Sequence, residues 1–520
     1  MFILITVSIL IATALVLTIL RFTLGEYRYS WLIATSGAFF AWVSVFIWQL
    51  SMPFQIQLPL WQPSQLFPQS PFFVADGIAW AFAVSLATLC LAVILTAVIR
   101  EGFPYPLSWI GMLILTALGI LAVTADNPLT LVLLWAAIDV AELISHLRIV
   151  DQPQLTERVI IAFASRVTGT LILLWADMVS ISNGIVLDFR AAPPQVGLYL
   201  ILAVGLRLGV LPLQLPYINE TSIRRGFGTG LRMISAGSSL ILLARIPANS
   251  LISPFTPYLI ILIALSGLYG AWMWLRAPDE ITGRPFWMIG MASLALAAAL
   301  RANPVGSAAW SVALILAGSA LFLTSAQTRW LERSLLAGIW AISGLPLSLT
   351  STGWVNNGLI FWYALPILVL THAMLIAGLY RHIQRSITRA VFNEQPLWAR
   401  NVYPIGVMLL ILSLFGLTLF GWDGALQIGR WYLGLGAVLL AVGLLWLTPR
   451  LRILNPVRAH WVRPTNSSWL DRIYQTVWNL YRQISWFSNS LSNVLEGESG
   501  IMWTLLFLAL FISFFTQRSP

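Results

Sequence analysis

Six ionisable side chains stand within long apolar runs of the chain: Asp139, Glu142, Arg166, Arg207, Arg232 and His372, with His146 nearer the end of its run. A charge is costly in hydrocarbon, so each of these groups should face protein or water and hold a partner. Asp139 and Glu142 are three residues apart, which puts both carboxylates on one helix face. Carboxylates and imidazoles can take up and release protons. A guanidinium keeps its proton at any accessible pH and cannot relay one. A pair such as Asp139 with Arg207 would neutralise both charges. The set can therefore serve as part of a proton path or as a buried clamp, and the arginine chemistry favours the clamp.

Other chemistry has little to stand on. The four histidines, His146, His372, His382 and His460, are spread over different segments, and the single cysteine, Cys90, lies in an apolar run. That leaves no thiolate metal site and no disulfide within the chain. There is no glycine-rich phosphate loop and no nucleophile constellation. No catalytic centre, no metal and no cofactor are expected in this chain.

The elements that hold these residues are transmembrane helices. Hydrophobic residues make up 59% of the 520 and charged residues 9%. A soluble chain of this length needs a far more charged surface. Apolar runs mark about sixteen spans, at roughly 2–20, 31–50, 74–99, 107–124, 127–146, 159–182, 197–216, 228–246, 257–276, 285–300, 306–326, 335–354, 358–380, 402–421, 430–448 and 501–516. The first run has no small-residue cleavage site after it and reads as a span. The net charge of +10 comes from arginine alone, for the chain has no lysine. The breaks after odd-numbered spans hold about 21 arginines and those after even-numbered spans about five. Odd breaks are therefore expected on the cytoplasmic side, with both termini on the other. The break from Ser51 to Pro71, rich in Pro and Gln and uncharged, suits an external loop.

Two spans contain proline where backbone bonds would be lost, at Pro212 and at Pro346, the latter followed by Asn356 and Asn357. In lipid the freed carbonyls must be met by neighbours or by a water-filled cavity. Paired breaks point either to a transport site between inverted repeats or to ordinary proline kinks. From Ser468 to Leu495, Trp469, Ile473, Val477, Tyr481 and Ile484 recur at helical spacing. That is an amphipathic helix on the cytoplasmic face, packed on its own bundle or on a partner. The basic stretch from Arg381 to Arg400 could touch anionic headgroups or a cytoplasmic subunit, or simply obey the charge bias.

These stretches resemble, in order and spacing, the antiporter-like membrane subunits of respiratory complex I, Mrp-type cation/proton antiporters and membrane-bound hydrogenases. The matching stretches are Phe73 to Gly77, Asp126 through Leu134-Trp135, Ala162 to Val167, Arg207 through Pro212 to Gln214, Leu242 to Arg245, and Ser343 through Pro346 to Trp354. The resemblance covers most of the chain. It implies an all-α integral membrane fold with two broken helices in inverted repeats and a cytoplasmic-side amphipathic helix. The expected organisation is helices 1–3 over 1–106, a first antiporter-like half over 107–246 and a second over 257–380. Two helices over 402–448, the amphipathic segment over 449–499 and a final span over 500–520 complete it.

The chain departs from the family where protons would move. Family members use a central series of Glu, Lys and His. Here Ala136 stands at the fifth-helix Glu and Arg207 at the seventh-helix Lys. Near the eighth-helix Lys are Ser235 to Gly237, with Arg232 the closest charge. Leu314 and Gly318 stand near the eleventh-helix pair, and Asn357 at the twelfth-helix Lys. Losing one member of a buried polar chain strands its neighbours, whereas losing nearly all leaves a neutral axis. The reading that follows is a subunit of a complex I-like redox assembly, of the NADH:quinone oxidoreductase or hydrogenase kind. It has lost proton pumping, is kept for structure or docking, and sits in the inner (cell) membrane with other membrane subunits as partners and no nucleic acid. Two alternatives stand beside it. One is an active H+ or Na+ translocator with a path rebuilt through Asp139 and Glu142. The other is a stand-alone solute carrier or the membrane partner of an inorganic-carbon uptake system.

Overall fold

Backbone in hydrocarbon must bond to itself, and the apolar runs of this chain do so as helices. The computed structural model describes residues 2–25, 27–59, 69–100, 106–147, 153–214, 224–251, 253–326, 329–355, 361–385 and 395–451. In order they form α1 (Phe2–Leu24), α2 (Ser30–Ile47), α3 (Gly77–Thr96), α4 (Pro106–Thr124), α5 (Pro128–Leu147), α6 (Pro153–Ser182), α7 (Pro194–Leu208) and α8 (Arg225–Arg245). There follow α9 (Thr256–Arg276), α10 (Glu280–Leu300), α11 (Pro304–Leu323), α12 (Arg329–Ala341), α13 (Leu365–Ile383), α14 (Leu397–Phe420) and α15 (Trp431–Leu451). Twelve helices among the described residues are long and apolar enough to cross a membrane, and α7 and α15 contribute shorter apolar helices. The protein is an all-α multi-pass membrane protein. The expected final span, nearly all of the amphipathic segment, and Asn356 and Asn357 lie outside the described residues.

Burial grades across the bundle. Helices α3, α8, α10 and α11 are buried almost all round, whereas α1, α2, α5 and α6 bury only about a third of their residues. The first group forms the centre and the second the rim. Helix starts carry their own caps: Asp76 accepts from the Ala79 N–H and Asp279 from the Thr282 N–H, each at 2.8 Å. Hydroxyls inside the spans donate to the carbonyl four residues back, as Thr96, Thr116, Ser293 and Ser311 do. A polar side chain satisfied in this way can sit in a buried helix without a distant partner.

The ends of the helices show how the chain traverses the bundle. Breaks after odd-numbered spans meet one another: Arg100 donates to the Leu323 carbonyl at 3.1 Å, Arg225 to the Thr324 carbonyl at 2.7 Å, and the Tyr403 hydroxyl accepts from the Ser325 N–H at 2.7 Å. Breaks after even-numbered spans do the same. Asn127 donates to the Ser70 carbonyl and Asn303 to the Thr352 carbonyl, both at 2.7 Å, and the Arg430 N–H bonds the Trp354 carbonyl at 3.1 Å. Strict alternation of up and down crossings requires this parity.

Two features depart from the expected layout. The stretch from Ser51 to Pro71, expected as an external loop, opens with β1 (Phe54–Gln57), which pairs antiparallel with β2 (Phe72–Ala75). Phe54 and Ile56 are half-buried while Gln55 and Gln57 are exposed, the alternation of a strand with one covered face. The helix breaks also begin earlier than the prolines. Helix α7 ends at Leu208 because Gly209 turns left-handed at φ 72°, a conformation glycine adopts freely. Helix α12 ends at Ala341, and Gly344 takes the same conformation two residues ahead of Pro346.

Candidate functional site

The buried charges converge where α5, α6, α7 and α8 meet. On α5, Thr130, Leu134, Trp135, Ile138, Asp139, Glu142 and His146 all face inward, at the three- to four-residue spacing of one helix face. Ala136 lies on the exposed face of the same helix. The α5 position that looks into the bundle is thus Asp139, and an acid at 136 would point out of it.

Asp139 is held from two sides. Arg207 on α7 approaches as a fork, Nη1 at 2.6 Å from Oδ2 and Nη2 at 2.8 Å from Oδ1. Arg166 on α6 donates from Nη2 to Oδ1 at 2.5 Å. Glu142, one turn on, bonds Arg166 through Oε2 and Arg232 of α8 through Oε1. His146 Nε2 stands 3.6 Å from the same Oε1. The two carboxylates thus face three guanidiniums, with Arg166 bridging both.

Neutral groups complete the lining. Arg166 donates to Ser235 at 2.6 Å, and Arg207 donates to Thr170 at 3.0 Å and Ser239 at 3.1 Å. The Arg207 guanidinium also lies 4.2 Å from the centre of the Trp135 ring, which a planar, weakly hydrated cation tolerates well. The Trp135 indole N–H is fixed to the Ser238 carbonyl at 2.9 Å. Small residues make the approach possible: a Cβ at Gly169 would stand 2.7 Å from the Arg207 side chain.

The remaining candidates lie apart from this cluster. His372, fully buried on α13, packs between the rings of Trp310 at 4.9 Å and Trp354 at 5.8 Å. Its Nε2 is 2.6 Å from the carbonyl of Ile342, the first residue beyond α12. On α11, Leu314 and Gly318 are buried, and a Cβ at Gly318 would meet the Trp287 indole nitrogen at 2.5 Å. Indole therefore fills the place where a longer side chain at 318 would project. Pro212 and Pro346 sit in the turns that follow α7 and α12. Carbonyls at these breaks are met by neighbours: Ser266 of α9 donates to Val210 at 2.9 Å, and the Ile342 carbonyl, four residues before Pro346, has His372 Nε2 at 2.6 Å. Among the described residues no three His, Cys, Asp or Glu side chains converge as a metal site.

A second ionic cluster, absent from the candidates read from the sequence, ties the even-break end together. Arg245 at the end of α8 bonds Asp126 at 3.0 Å and donates to the carbonyls of Val123 at 3.1 Å and Val74 at 3.3 Å, and also to that of Ala125. Arg190, between α6 and α7, reaches Asp76 at 2.9 Å and Asp126 at 3.3 Å. Burial pushes the Asp126 carboxyl above the usual aspartate range, with Arg245 and Arg190 pulling against it. Both Asp126 and Arg245 stand at helix ends in the sequence, where a charge reads as ordinary and gives no hint of its partner.

No protein-family pattern and no curated protein sequence matches this chain. Solved structures do. A chain of the Mrp complex from Dietzia sp. DQ12-45-1b superposes with a TM-score of 0.73 at 14% identity over 100% of this chain, which spans 63% of the length of that one. A chain of the membrane-bound sulfane sulfur reductase, described as an archaeal respiratory membrane complex, gives 0.61 at 13% identity, covering 98% of this chain and 100% of its own. A chain of respiratory complex I from Thermus thermophilus gives 0.57 at 17% identity, over 80% and 98% respectively. Identities this low speak for the fold. The protein has the membrane fold shared by these Mrp, sulfane sulfur reductase and complex I chains, the antiporter-like fold that its sequence motifs resemble.

Proposed function

We propose that this chain is an antiporter-like membrane subunit of a complex I-related, ion-translocating assembly, in which the α5–α8 cluster is an electrostatic clamp and proton pumping has been lost. One observation carries the reading: both buried carboxylates are taken up by guanidiniums, the side chains least able to release a proton. Both arginines bonded to Asp139 also bond hydroxyls. The other buried titratable side chain among the candidates, His372, packs against the Trp310 and Trp354 rings and bonds a backbone carbonyl. The subunit's task is then to complete and brace the membrane arm of its complex. Its place is the inner (cell) membrane, with the arginine-rich odd breaks in the cytoplasm, both termini outside and other membrane subunits against its rim.

A second reading rests on His146. It is a titratable group beside Glu142 at the end of α5, where a proton could reach the cluster from one membrane face. An active translocator would use Glu142 and Asp139 in series, and each release would have to break an arginine bond. The number of those bonds favours the clamp.

Purification of the tagged chain from its native membranes in mild detergent, with mass spectrometry of what accompanies it, tests the assignment. Iron–sulfur or hydrogenase-like proteins together with further antiporter-like subunits are the expected companions. A chain that purifies alone contradicts it.

A further inference from the structure

His372 and Trp354 present two complementary hydrogen-bonding atoms that no side chain or backbone group among the described residues answers. The Ile342 carbonyl can only accept, so the proton on the His372 ring sits at Nε2, bonded to it at 2.6 Å. In that neutral tautomer Nδ1 is a bare acceptor. Nδ1 of His372 and the indole Nε1–H of Trp354 are both buried and both lack a partner among the described residues. An acceptor and a donor left unmet on two neighbouring rings in a membrane bundle call for a ligand. The two rings are 5.8 Å apart between centres and inclined at 42°. One molecule bridging two nitrogens by bent hydrogen bonds of about 2.9 Å needs them roughly 4–5 Å apart, which rings at this separation allow.

We propose that the break after α12 holds one bound water molecule, donating to His372 Nδ1 and accepting from Trp354 Nε1. The chemistry of the two atoms selects the ligand class. A cation has no lone pair to accept from the indole N–H, and a halide has no proton to give Nδ1. A small neutral molecule that both donates and accepts satisfies both, and water is the one at hand on either side of a membrane. The surroundings keep the ring neutral. Among the described residues no carboxylate bonds His372, and the Arg301 guanidinium lies 5.4 Å from the Trp354 ring, opposing a second positive charge nearby. The backbone fits the same role. Gly344 and Leu347, at φ 72° and 65°, open the chain here, and the Gly344 N–H is bonded to Thr350 at 3.0 Å.

The site hydrates the break without conducting through it. A proton arriving at Nδ1 would release the Nε2 proton only toward the Ile342 carbonyl, which cannot pass it on. This deepens the reading of a chain that no longer relays protons, while its test is independent of which subunits surround the chain.

The full chain has four histidines, so nitrogen-15 histidine labelling in bilayers gives few resonances to resolve. In solid-state NMR the His372 Nδ1 signal should be unprotonated, shifted upfield from that of a bare imine nitrogen, and correlated with exchangeable water protons. Trp354→Phe should remove most of that water correlation, since it deletes the donor that holds the molecule. An Nδ1 signal at the bare position without a water correlation overturns the proposal. So does a protonated Nδ1, or a resonance that moves when chloride is replaced by bromide, which would mark an anion. If Trp354→Phe does not assemble, the wild-type spectrum decides alone. Failure of the co-purification leaves this spectrum unchanged, so the two readings fall separately.

Discussion

Asp139→Asn should be strongly destabilising and Asp139→Asn/Arg207→Gln much less so. The wild-type carboxylate holds Arg207 through two bonds and Arg166 through one, at 2.5 to 2.8 Å, with both partners buried. Arg166 keeps Glu142 when Asp139 is neutralised, but Arg207 keeps only Thr170, Ser239, the Arg166 carbonyl and the Trp135 face. Removing one partner from a buried pair typically costs about 3–5 kcal/mol, and unit charges about 4 Å apart interact by about 4 kcal/mol at an effective dielectric near 20. We expect the single substitution to fall in that range. The double substitution restores the charge balance among these residues and should return to within about 2 kcal/mol of wild type, so that it costs at least about 1–3 kcal/mol less than the two singles together. Reversible unfolding in mixed detergent micelles, followed by far-ultraviolet circular dichroism over the four-protein cycle, measures it. A single substitution costing less than about 1 kcal/mol, or a double equal to the sum of the singles, would refute the clamp.

Three further outcomes are expected. Arg245→Met should destabilise the even-break end by about 3–5 kcal/mol in the same assay, and Arg245→Lys should recover little, because an ammonium cannot serve Asp126 and three carbonyls across so wide a fork. Asp126 binds its proton more tightly folded than unfolded, so its contribution to stability is greatest in acid and falls as pH rises through its folded-state value; Asp126→Asn should flatten that part of the stability-pH curve. Gly434→Ala would place a Cβ 2.3 Å from the Gly344 carbonyl oxygen, so α15 must move off the break after α12, at about 1–3 kcal/mol and with a rise in proteolysis near Gly344.

Much of this was legible in the sequence, because membranes enforce a simple grammar. Apolar runs fixed most spans to within a few residues, and Asp139, Glu142, Arg166, Arg207 and Arg232 stood out as charges within apolar runs, three of which meet one carboxylate or the other. What escaped reading depends on distant partners or on backbone. That Arg166 bridges both acids follows from the angle between α5 and α6. That the helices stop at Gly209 and near Gly344 depends on glycine geometry, which a proline two or three residues later conceals. The Asp126–Arg245 pair lies 119 residues apart in the chain. The β1–β2 hairpin did leave a signal, the alternation of Phe54 and Ile56 with Gln55 and Gln57, masked by the polar stretch after it.

The central claim is that the α5–α8 cluster holds the bundle together and carries no protons. The most direct measurement is proton translocation by the intact complex in proteoliposomes, containing either the wild-type chain or the charge-balanced Asp139→Asn/Arg207→Gln chain, with subunit composition checked in each. The same number of protons moved per electron is expected in both. A lower number in the variant, with all subunits present, would contradict it and make Asp139 part of a working path.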